Sequence, residues 1–206
     1  DVSQSCGALY NKKKLGSFSD ISCFSFFPTK NLSTIGDSGA IVSNNKNYIN
    51  KIKMLREYGW DENRNCQFVG INSRLDEVHA EILNHRLKNL DNENRERIKI
   101  AKYYLNNVKN SKIILPRVFP ERKHIFHLFV VRVKNRNKFI KDLQNEGFKL
   151  GIHYERPVHK HAIFKGKKFK KLENTEKISN QVVSLPIYIG LNKNIMSKLV
   201  NILNSI

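Results

Sequence analysis

The sequence predicts an α/β protein, on three observations. Over residues 111–206, short aromatic and β-branched runs alternate with segments of helical period. Between residues 73 and 110 the helical period continues almost unbroken. The first 72 residues supply only two strand-like bursts and one helix, too little sheet for a core of their own. These observations divide the chain into residues 1–72, 73–110 and 111–206.

Residues 21–27 and the "GAIVSN" burst at 39–44 read as neighbouring strands joined by a glycine-containing loop. Ile49, Ile52, Met54 and Leu55 recur at helical spacing, so residues 48–58 form a helix stopped by Gly59. Residues 60–71 are polar and irregular, a loop long enough to suspect of function. Leu75, Val78, Ile82, Leu83, Leu87 and Leu90, then Ile98, Ala101, Tyr104, Leu105 and Val108, mark one long helix or two joined by a kink. Ser73 is its expected N-cap, with Asp76 and Glu77 in the first turn. Beyond it, "HIFHLFVVRVK" reads as a strand, "NKFIKDLQNEG" as a helix closed by Gly147 and "KLGIHYERPVH" as a second strand running into proline. "VVSLPIY" is a third strand and "NIMSKLVNILNSI" a last helix.

At 206 residues with 40% hydrophobic content the chain can bury a core. No apolar run approaches the roughly 20 residues needed to cross a bilayer, so a soluble, cytoplasmic protein is expected. Three scattered cysteines suggest reduced thiols, with neither a disulfide framework nor a metal site. The net charge of +19 raises a nucleic-acid reading, and "FKGKKFKKLEN" spaces phenylalanines between lysines as a single-strand binder does. Lysine recurs along the whole chain, however, and charge runs are usually solvated, so no nucleic-acid partner is expected.

Lys30 is the chemically suggestive residue. It follows Pro28 and Thr29 after an aromatic strand and precedes "NLSTIGDSGA", whose Gly36 and Gly39 allow tight turns beside a ligand. An amine among apolar walls loses its proton more easily, and a neutral amine attacks an aldehyde to form a Schiff base. Pyridoxal phosphate needs such a lysine, a carboxylate against its pyridinium nitrogen and donors around its phosphate.

"DVSQSCGALY", "GSFSDISCFSFFPTKNLSTIGDSGAIVSNN", "MLREYGW", "GINSRLDEVHAEIL" and "GIHYERPVH", in this order, closely resemble the DegT/StrS family of pyridoxal-phosphate-dependent nucleotide-sugar aminotransferases. The resemblance implies the C-terminal part of an aspartate-aminotransferase-like (type I) fold: a partial large-domain sheet, a long connecting helix and a small α/β domain. It implies that Lys30 forms the Schiff base with pyridoxal 5'-phosphate and shuttles the proton, and that Asp1 pairs with the pyridinium nitrogen. Gln4 matches a position beside the cofactor ring, and Ser25 a hydroxyl that binds its phosphate. Asn72 matches a residue that reaches the phosphate in the neighbouring subunit of a homodimer, while Arg74 and Asp76 are read as structural. His153 and Tyr154 match contacts to the nucleotide-sugar, and the amino-acid donor implied is glutamate. The family carries a comparable stretch before the position of Asp1, so the chain is expected to be a fragment, inactive alone. The alternative is a non-enzymatic relic or interaction module of the same family. Ser33 stands where this family often has glycine, which requires a negative φ there.

Overall fold

The computed structural model describes residues 1–206. The chain packs into two units, residues 1–95 with 119–127, and residues 96–118 with 128–206.

In the first unit, β1 (Leu9–Tyr10) and β2 (Lys13–Lys14) form a hairpin. Its two loop residues, Asn11 and Lys12, have φ of 45° and 64°. Positive φ at both central positions is the geometry whose twist matches paired strands. β3 (Ser22–Ser25) and β4 (Gly39–Val42) pair antiparallel as expected, with Ser22 opposite Val42 and Ser25 opposite Gly39. A Cβ on Gly39 would stand 2.8 Å from the Phe24 carbonyl oxygen, so the close pairing needs glycine. α1 (Lys46–Arg56) begins at Asn45, whose side-chain oxygen accepts the N–H groups of Asn47 and Tyr48. It ends where Gly59, at φ 79°, donates its N–H to Met54 O.

In the 60–71 loop one carboxylate adds three hydrogen bonds to the backbone ones. Asp61 accepts the N–H groups of Asn63 and Asn65, both at 2.9 Å, and the Gln67 amide at 2.8 Å. The Asn65 bond first, then that of Gln67, holds this carboxyl below the usual carboxylate range. The chain then runs extended beside the end of α1: Ile71 N–H donates to Leu55 O, Tyr58 N–H to Ile71 O and Ser73 N–H to Arg56 O. That ladder corrects the expected cap. Ser73 is consumed by it, and α2 (Glu77–Leu87) starts later with Asp76 in the capping position. The long helical period resolves into two helices, α2 and α3 (Leu90–Asn107), separated at Lys88 and Asn89. β5 (Arg122–Lys123) pairs with β1 and completes a sheet of order β2-β1-β5. Sequence periodicity misses this sheet, because strands of two residues each, Leu-Tyr, Lys-Lys and Arg-Lys, are too short to show alternation. Leu32, Leu83 and Leu90, with Cys6, Phe26 and Leu75 against them, form an apolar cluster in this unit.

In the second unit, β6 (Phe129–Arg132) and β7 (Val182–Leu185) pair antiparallel, Phe129 opposite Leu185. α4 (Arg136–Asn145), α5 (Glu173–Ser179) and α6 (Lys193–Ser205) complete it. Phe129, Val131, Leu143, Val183, Leu199 and Leu203 are fully buried, as is Tyr104 of α3. The Tyr104 ring meets Phe129 edge-on at 5.1 Å, and its hydroxyl donates to Pro186 O at 2.9 Å. Two expected strands are shorter or absent. Only Phe129–Arg132 of "HIFHLFVVRVK" is a strand, because Ile125 and Phe126 are buried in the first unit. "KLGIHYERPVH" makes a single bridge, Gly151 with Ser184, and then leaves the ladder for two short 3₁₀ turns, Val158–Lys160 and Ala162–Phe164. The side chain of His153 takes the next bond to Ser184, and Pro157 has no N–H to offer. The lysine-rich run that follows is an exposed loop. No helix is long and apolar enough to cross a membrane.

Candidate functional site

β3 organises the first group of candidate residues. Val2 N–H donates to Cys23 O at 2.8 Å, which lays the segment bearing Asp1 along this strand. Asp1 is exposed, and its carboxylate accepts the Ser3 N–H at 2.7 Å. Gln4 is exposed in the turn that follows, closed by Ser5 N–H to Val2 O. Ser25 ends β3; its half-buried hydroxyl accepts the Phe27 N–H at 3.5 Å and keeps its own proton to donate. Lys30 comes five residues later, half-buried, its N–H closing a turn on Phe27 O at 2.8 Å.

The loop after Lys30 is buried rather than loose. Asn31, Leu32, Ser33 and Thr34 are each at most 6% exposed. Thr34 N–H donates to Phe26 O, and Phe26 N–H to Ser38 O, so the loop doubles back onto the end of β3. Ser33 has no positive φ, so serine fits here without strain. Its hydroxyl accepts from Arg86 Nη1 at 2.7 Å, and the same guanidinium reaches Glu93 at 3.5 Å. Arg86 was not singled out from sequence. A basic residue on the face of α2 reads as solvated until its partner is known.

Asn72 is carried by a separate piece of this unit, exposed on the ladder beside Glu57. Arg74 lies close by, paired with Glu57 at 3.0 Å and over the Tyr58 ring at 5.5 Å, which suits a structural role. In the second unit, His153 Nδ1 lies 2.8 Å from Ser184 Oγ and its ring meets Tyr154 edge-on. Tyr154 is 66% exposed. Glu155 pairs with the buried Arg136 at 3.4 Å, so the segment is held on both sides of the projecting tyrosine. A surface groove of about 580 Å³ between Ser17, Phe18, Ser19, Asp20, Asn44, Asn45 and Lys46 includes none of the candidate residues.

The residues around β3 fit pyridoxal phosphate in kind: a half-buried amine, a carboxylate for a ring nitrogen and a hydroxyl for phosphate. Thr34 Oγ1 and Ser38 Oγ, in the same loop, are buried without a partner, so hydrogen-bonding capacity remains there.

Solved structures share this architecture. DesV of S. venezuelae, solved in complex with a ketimine intermediate, superposes with a TM-score of 0.94 at 32% identity, covering 99% of this chain and 56% of that one. NtdA of Bacillus subtilis, solved with bound cofactor PMP, superposes with a TM-score of 0.84 at 27% identity, covering 92% and 46%. The fold is therefore that of the pyridoxal-phosphate-dependent aminotransferases, in its C-terminal part. Within that class the chain belongs to the DegT/DnrJ/EryC1/StrS aminotransferase family, whose model matches residues 1–204. The dTDP-3-amino-3,6-dideoxy-alpha-D-galactopyranose transaminase of Aneurinibacillus thermoaerophilus is 40% identical over 204 residues, 99% of this chain and 56% of its own length. The dTDP-3-amino-3,4,6-trideoxy-alpha-D-glucose transaminase of Streptomyces venezuelae is 36% identical over 190 residues, 91% and 50%. The chain spans about half the length of the curated relatives it matches.

Proposed function

We propose that this chain belongs to an enzyme that moves an amino group from an amino-acid donor, glutamate, to a keto-sugar linked to a nucleoside diphosphate. The observation that carries the reading is the half-buried Lys30 in a rigid loop at the end of β3, with Ser25 on that strand and Asp1 on the segment laid along it. Relatives that share the family are named sugar transaminases, which supports the same chemistry here.

Pyridoxal phosphate, when bound, supplies the electron sink for breaking and making bonds to nitrogen. Lys30 Nζ holds the group and takes and returns the proton at the carbon that gains or loses nitrogen. Asp1 keeps the ring nitrogen protonated, Gln4 lies beside the ring and Ser25 donates to phosphate. Asn72 reaches the phosphate in a second copy of the chain, which makes the working form a homodimer. His153 and Tyr154 contact the nucleotide-sugar. In this reading residues 1–72 belong to the cofactor lobe, 73–110 to the connecting helices and 111–206 to the small domain.

The test is an absorbance spectrum with pyridoxal phosphate before and after borohydride, with the labelled peptide mapped and Lys30→Ala beside it. A visible band fixed covalently at Lys30, and lost in the variant, is the expected result. Label spread evenly over surface lysines, equal in both proteins, would overturn the assignment.

A further inference from the structure

Next to Lys30 in the chain begins a buried hydrogen-bond network built on two asparagine amides. Asn31, the next residue in the chain, is 6% exposed, and Asn94 of α3 is 1% exposed. Asn31 Nδ2 donates to Asn94 Oδ1 at 2.7 Å and to Ile125 O at 3.4 Å. Asn31 Oδ1 lies 3.1 Å from His127 Nδ1, and an amide oxygen has no proton, so the imidazole is the donor. Asn94 Nδ2 in turn donates to Cys6 O at 3.2 Å. The two backbone carbonyls, Ile125 O and Cys6 O, accept only from N–H and so fix the orientation of both amides. The fit is tight on the far side as well: Gly7 has φ 90°, and a Cβ there would stand 2.6 Å from Asn94 Nδ2.

One side chain therefore ties together two segments that are far apart in sequence. Asn94 holds the loop that begins at Lys30 through Asn31, and the turn that follows Asp1 and Gln4 through Cys6. We propose that Asn94 is the positioning residue that sets Lys30 against the Asp1–Gln4 segment, acting through Asn31 on one side and the Cys6 carbonyl on the other. The inference rests on the reading of Lys30 as the cofactor lysine.

Asn94→Leu keeps the branched shape and removes both bonds, whereas Asn94→Asp keeps the acceptor for Asn31 and loses the donor to Cys6. Leu143→Val, in the core of the second unit, controls for destabilisation away from these segments. Two quantities are read on the 206-residue chain: amide hydrogen exchange by segment, and the pyridoxal phosphate concentration that half-saturates borohydride-fixed label at Lys30. Asn94→Leu should speed exchange in residues 3–8 and 30–34 and raise that concentration about tenfold, as the loss of one or two hydrogen bonds predicts. Asn94→Asp should loosen residues 3–8 chiefly and raise it less. Leu143→Val should leave the labelling unchanged. Wild-type labelling in both Asn94 variants, or an equal rise in Leu143→Val, would overturn the proposal. Failure of the wild-type chain to label at Lys30 is a different result; it removes the cofactor-lysine reading and the inference built on it.

Discussion

At the scale of single residues, two titrating groups make predictions of opposite sign. Burial, with Tyr188 and Tyr103 adding to it, pushes the Tyr104 hydroxyl well above its ordinary range. The unfolded chain then releases this proton at about pH 10, while the folded chain keeps it. Stability from Tyr104 is complete below that pH and is lost as pH rises beyond it. Tyr104→Phe should cost about 1 kcal/mol at neutral pH, for the bond to Pro186 O, and flatten the alkaline fall in urea midpoint. An unchanged alkaline limb would sink this account. Asp61 is shifted downward, so its loop is held above the carboxylate range and released as pH falls through the folded value. Asp61→Ala should speed tryptic cleavage at Arg64 at neutral pH while leaving cleavage in α6 alone; equal rates at Arg64 would mean that other bonds order the loop.

At the scale of elements, glycines that end helices differ in what surrounds them. Gly59 sits at φ 79°, and a Cβ there would lie 1.8 Å from Phe68 O. Gly147, at φ 88°, has nothing within 4 Å of such a Cβ. Gly147→Ala should therefore cost only the left-handed penalty of about 1 kcal/mol. Gly59→Ala adds a backbone collision and should cost at least about 2 kcal/mol more. Urea midpoints of the two variants settle the comparison, and equal values would show that the 60–71 loop yields freely. Helices with their own apolar period and stop were legible: α1, α4 and α6 fall within two residues of where the apolar spacing puts them, whereas the seven-residue α5 was missed. The strand expected in "KLGIHYERPVH" was not, because strand identity depends on a partner edge. Here the partner, Ser184, takes one backbone bridge from Gly151 and then a side chain from His153.

At the scale of the whole molecule, a net charge of +19 on 206 residues is self-repelling, and added salt screens it. The urea midpoint should rise between about 20 and about 200 mM sodium chloride, where the Debye length shortens from roughly 20 to 7 Å. A midpoint that falls instead would show that the surface ion pairs outweigh the repulsion.

What the sequence by itself determined was the family, the run of helices and the pairing of the strands on either side of the Lys30 loop, because period, turn residues and motif order are local properties. Asn94 shows where that legibility stops. Its spacing from Leu90, Ala101 and Tyr104 sets a polar side chain on the apolar stripe of α3, a visible sign of a buried hydrogen bond, yet nothing local names the partner. Only the tertiary structure decided that Asn94 meets Asn31 across 63 residues and Cys6 across 88, and that Ser33 meets Arg86 across 53. A buried amide needs a partner, but which one it finds is set by the path of the folded chain.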